Sequence, residues 1–99
     1  MRASDPDRDP VVRELRGRIG MADRAILAAV NARLDLVRQL RRHKLAQGWD
    51  FVDRSREEQL LDELARANGG PLSDDGVRAL FADVLALTKR EVTGSEPGG

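Results

Sequence analysis

Between Asp9-Pro10 and Gly48 the chain carries an apolar repeat that steps by three and four residues without interruption: Val12, Leu15, Ile19, Ala22, Ile26 and Ala29. That spacing lines one face of an α-helix, whereas a strand would alternate apolar and polar residues. The same steps continue through Arg33, Leu36 or Val37, Leu40 and Lys44, a seam of nearly five heptads. Asp9 suits an N-cap and Pro10 the first helical position. Gly17 and Gly20 each cost up to about 1 kcal/mol relative to Ala but do not end a helix, and they leave room for close helix–helix approach. A helix over 10–47 is about 57 Å long at 1.5 Å per residue. Two shorter helices cannot cover that length, so the seam predicts a second copy of the chain as its partner. The expected fold is all-α: one long and two shorter helices per chain, forming an intertwined helical homodimer.

The remaining sequence supplies those two helices. After a loop at 48–52, a segment from Asp53 to Ala67 buries Leu60, Leu61 and Leu64, with Ser55 as N-cap and Glu58 closing a capping box. Asn68-Gly69-Gly70-Pro71 stops it. The third segment starts at Ser73 or Asp74 and runs to about Val92, with Val77, Leu80, Phe81, Val84, Leu85 and Thr88 inward. With 99 residues there is room for one small domain. We assign 1–9 to a flexible N-terminal arm, 10–92 to the helical domain and 93–99 to a disordered tail. The three aromatic residues, Trp49, Phe51 and Phe81, are too few for an aromatic core, so Leu, Val, Ile and Ala must build it. Trp49 and Phe51 either cap a pocket or anchor the loop they occupy, and anchoring is favoured because aromatics most often bury.

Composition narrows the function. Seventeen basic side chains balance 17 acidic ones, so net charge draws the chain toward neither nucleic acid nor membrane. The basic run Arg38–Lys44 has no interleaved aromatics and reads as a solvated face. The chain has no cysteine, which excludes disulfides, thiolate zinc sites and thiol nucleophiles. His43 has no second His or Cys near it, so no metal site is expected. No secretory leader and no apolar run of the ~18 residues a membrane span requires is visible. The expected address is the cytoplasm.

Polar residues in apolar positions are the informative anomaly. Arg33 and Lys44 sit on the seam, 11 residues apart on one face. Either alone is explained by a long stem that snorkels to water; together, with Val37 and Leu40 between them, they suggest the floor of an anion pocket. Asp53, Arg56 and Glu57 form a second set at i, i+3 and i+4. Capping, the helix dipole and local pairing account for these as well.

The ordered set Leu15-Arg16-Gly17-Arg18-Ile19, Asp23, Ala32-Arg33, Lys44 and Asp53-Arg54-Ser55-Arg56-Glu57 resembles the all-helical (AroQ-type) class of chorismate mutases over about residues 10–92. Its most specific part is D-x-x-R-E nine residues after a lysine that itself lies 11 after an arginine. The resemblance implies an isomerase that rearranges chorismate to prephenate with no metal and no cofactor. It implies that Arg33 clamps a carboxylate and that Lys44 meets a carboxylate and the ether oxygen. Asp53 and Glu57 would hold the ring hydroxyl, while Arg56 shapes that end of the pocket. Arg16 lies 17 residues before Arg33, about 25 Å along one helix, so the resemblance implies that it enters the site from the partner subunit. Thr88 falls at the family's small hydroxyl position. Four residues on, where the family carries Gln or Glu as a donor, stands Val92, with Glu91 adjacent. Two alternatives stay open: the same scaffold acting on isochorismate or 4-amino-4-deoxychorismate, and a non-catalytic helical dimer regulating a shikimate-pathway enzyme. Because valine cannot donate a hydrogen bond, the departure at Val92 suggests a slow enzyme or one that needs a partner enzyme of the shikimate pathway.

Overall fold

The computed structural model describes residues 5–94; the expectations for 1–4 and for the tail at 95–99 lie outside them. In order come a 3-10 turn at Pro6–Arg8, α1 at Pro10–Gln47, α2 at Arg54–Ala67 and α3 at Asp74–Gly94. The described chain is thus all-helical, with one long helix and two shorter ones. Two compact units, Met1–Arg33 and Leu34–Gly99, divide it.

In the first unit the segment assigned to the arm is structured from Asp5 onward. The Asp5 carboxylate accepts a hydrogen bond from the Asp7 N–H at 3.0 Å and caps the 3-10 turn. Asp9 then caps α1, its Oδ1 accepting from Val11 N–H at 2.8 Å and Val12 N–H at 3.1 Å. These bonds satisfy two of the donors that a helix start leaves without partners. Asp7 also pairs with Arg16, both side chains being exposed. The seam residues Leu15, Ile19 and Ile26 are 49%, 59% and 60% exposed in the single chain.

In the second unit α1 ends in a Schellman turn. Gly48 adopts φ +76°, the left-handed conformation that glycine enters without a Cβ penalty. Its N–H donates to Leu45 O at 3.1 Å, and Trp49 N–H donates to Lys44 O at 2.8 Å. Helix α2 begins one residue later than expected and its cap differs. Asp53 is the N-cap, accepting from Arg56 N–H at 3.0 Å, while Ser55 lies inside the helix. The sequence offers two candidates two residues apart, and the extended backbone falls at Asp53. The turn between α2 and α3 is held by Asn68, which accepts from Gly70 N–H at 3.1 Å and donates to Leu72 O at 2.5 Å. Ser73 Oγ accepts from Gly76 N–H at 3.0 Å at the start of α3. A Cβ at Gly76 would come within 2.8 Å of Leu72 Cδ1, an exposed side chain that would have to shift to admit it.

Helix α2 packs on α3. Val77, Thr88 and Val92 are the buried residues of α3, and Phe81, Val84 and Leu85 are half-buried beside them. Leu80, expected inward, is instead 49% exposed, because it lies at the edge of the stripe centred on Val77, Val84 and Thr88. Helix α3 extends to Gly94, two residues beyond its expected end.

Candidate active site

Lys44 is placed by the end of its own helix. As the third residue from the α1 cap it lends its carbonyl to Trp49, and the turn brings the following loop back over its side chain. Lys44 Nζ then donates to Phe51 O at 3.2 Å in a part-buried setting. Two ring contacts tie the same loop to α1. Trp49 meets the His43 ring edge-on at 6.0 Å between centroids and an interplanar angle of 72°. The Arg41 guanidinium stands 6.0 Å from the Phe51 ring centroid. The loop is anchored, as expected, but Trp49 does it without burying, being 58% exposed.

Glu57 lies in the first turn of α2, with 22% of its side chain exposed. Its Oε1 accepts a hydrogen bond from Lys89 Nζ of α3 at 2.6 Å. Its Oε2 is buried and has no hydrogen-bond partner. Glu57 and Lys89 line an open groove between α2 and α3 whose apolar wall includes Leu61, Ala82, Leu85 and Ala86. The Glu57 carboxylate is therefore half satisfied, with one oxygen held by an ammonium and the other an acceptor without a donor.

The other expected site residues are distributed as follows. Asp53 caps α2 and is exposed. Arg56 reaches Glu63 at 3.3 Å, on the exposed side of the helix. Thr88 is buried, its hydroxyl donating to Val84 O at 2.6 Å. Val92 is wholly buried, at 0% exposure, while Glu91 beside it is exposed. Arg33 is half-buried on α1, and Arg16 belongs with it to the first unit. Glu57 thus lines the groove, while Lys44, Asp53, Arg56 and Thr88 do not. Among the described residues no three His, Cys, Asp or Glu side chains are grouped so as to hold a metal ion. Among the described residues no helix is long and apolar enough to cross a membrane.

Lys89 is the residue that sequence reasoning did not single out. It follows Thr88 at the flank of the α3 stripe, and nothing local marks it. Only the register of α3 on α2 sets it against a residue 32 positions earlier.

The fold and its charges define an all-helical protein with fixed cations and a receptive carboxylate, and without a thiol or a metal cluster among the described residues. The pattern of the family described as chorismate mutase type II matches residues 15–92. The chain belongs to that family, isomerases of the shikimate pathway that serve aromatic amino-acid biosynthesis. Two solved structures are similar, both of the chorismate mutase of Thermus thermophilus. Form I is 30% identical, with a TM-score of 0.76, over 78% of this chain and 96% of that one. Form II is 27% identical, with a TM-score of 0.81, over 87% and 98%. No curated protein sequence matches the chain. Family membership supports chorismate rearrangement; neither the related-substrate alternatives nor the non-catalytic dimer gains support from it.

Proposed function

We propose that the chain converts chorismate to prephenate at a site organised by Lys44 and Glu57 and completed by a second copy of the chain. In this rearrangement an ether C–O bond breaks as a C–C bond forms within the same molecule. No proton, electron pair or leaving group is exchanged. The protein has to hold the chair-like conformer and stabilise negative charge growing on the ether oxygen. Fixed cations in a water-poor pocket do this well, because charge interactions strengthen as the local dielectric falls.

In this proposal Lys44 contacts a carboxylate and the ether oxygen. Arg33 clamps a carboxylate with its planar, two-pronged guanidinium. Asp53 and Glu57 receive the ring hydroxyl, Arg56 shapes that end, and Arg16 arrives from the partner. Thr88 stands at the small-hydroxyl position. Val92 cannot donate a hydrogen bond, so either Glu91 supplies one or the burden falls on Lys44. An activating partner enzyme of the shikimate pathway would offset that deficit, and the cytoplasm is the proposed address. The observation that carries the reading is that the family match, residues 15–92, contains every one of these positions.

The homodimer rests on physical grounds. None of the 38 residues of α1 is buried in the single chain, and covering one Leu or Ile removes about 1.5–3 kcal/mol of unfavourable hydration. The decisive test follows the loss of chorismate absorbance with wild type and Lys44→Ala in parallel. Turnover by wild type, reduced at least ~10³-fold in the variant at unchanged helicity, is expected. Equal rates for both would remove Lys44 from the centre of the reaction.

A further inference from the structure

The Lys89–Glu57 pair bridges α2 and α3 at 2.6 Å, and it leaves a carboxylate half used. A buried oxygen with no donor is costly, more so when charged, so such an atom calls for an explanation. The ammonium of Lys89 engages Oε1 alone, which sets how the carboxyl group is turned and keeps Oε2 as an unused acceptor. Lys89 is itself 42% exposed, so the pair contributes little to stability as a surface ion pair would be counted. Holding Glu57 in one orientation is the effect left to it.

We propose that Lys89 is a positioning residue for the rearrangement: it holds Glu57 through Oε1 so that Oε2 is presented to the ring hydroxyl of chorismate. This rests on the proposed role of Glu57 above. Lys89 touches no reacting atom; it acts through Glu57, and its influence therefore exists only for a substrate that carries the hydroxyl.

The experiment measures kcat and KM for wild type, Lys89→Met, Lys89→Arg, Glu57→Gln and the double variant Glu57→Gln/Lys89→Met. Each is tested on chorismate and on the analogue lacking the ring hydroxyl, with thermal melts confirming folding. On chorismate, Lys89→Met is expected to lose about ten- to a hundredfold in kcat/KM, as a misplaced contact does. Lys89→Arg should restore most of it, and the double variant should be no worse than Glu57→Gln. On the analogue, wild type and Lys89→Met should be equal. An equal loss on both substrates, additive losses in the double variant, or no loss at all overturns the positioning role, while turnover of chorismate by wild type upholds the proposed function. Absence of turnover by wild type overturns the proposed function, and the positioning role with it.

Discussion

Helices α1 and α3 are both amphipathic, yet only α3 has buried residues within the chain. Helix α3, with 21 residues, contains Val77, Thr88 and Val92, the buried residues among those described. Helix α1, with 38 residues, contains none. The α2–α3 pair finds its core inside one chain, whereas α1 displays Leu15, Ile19, Ile26, Leu36 and Leu40 at 48% exposure or more. We propose that this uncovered apolar stripe is the homodimer interface. The same division separates the charges. Lys44 and Glu57 are held by hydrogen bonds within the second unit, while Arg16 is paired with Asp7 in the first.

The largest break to this comparison is Ile26→Asp. It places a charge on the α1 seam, and the expected outcome is dissociation to monomer with loss of chorismate turnover, read by sedimentation and absorbance. A variant that stays dimeric and active would show that the seam is not the interface. Mixing Arg16→Ala with Lys44→Ala sharpens the same point. Each alone should be inactive, and the mixture should recover about a quarter of wild-type activity, because half the dimers carry one intact site of two. No recovery would place Arg16 outside the partner's site.

Val92→Gln comes next in size and probes the self-contained helix pair. Restoring the family's donor tempts one to expect a faster enzyme, but Val92 is wholly buried. The larger, polar side chain is expected to lose about 1–3 kcal/mol of stability and to lower the melting temperature. A faster enzyme of unchanged stability would mean that the position opens to substrate. The smallest effect tests the local caps: Asp53→Ala should cost about 0.5–2 kcal/mol and Asp53→Asn much less, measured by thermal melts. If Asp53→Asn also loses activity out of proportion to stability, Asp53 serves the substrate as well as the helix.

The first helix was legible because its signals are local and repeated. The Asp9-Pro10 start, the uninterrupted seam and the Gly48 stop predict 10–47, and the helix runs Pro10–Gln47. The α2 cap was not legible in the same way, since Ser55-x-x-Glu58 and Asp53 both satisfy the chemistry of a helix start. What separates them is backbone geometry, extended at Asp53 and already helical at Ser55. Leu80 shows the same limit: a period of 3.6 assigns a stripe, but the neighbouring helix decides where its edge falls.

By itself the sequence determined the all-helical class, the length of α1 and the spacing of Arg16, Arg33, Lys44 and Glu57, because helical period and rise are properties of local backbone geometry. The tertiary structure alone decided three things: that Lys44 turns to Phe51 O, that Val92 is wholly buried, and that Lys89 meets Glu57. Each depends on two segments meeting after a turn, and the angle and register of that meeting are set by packing, which no run of consecutive residues records.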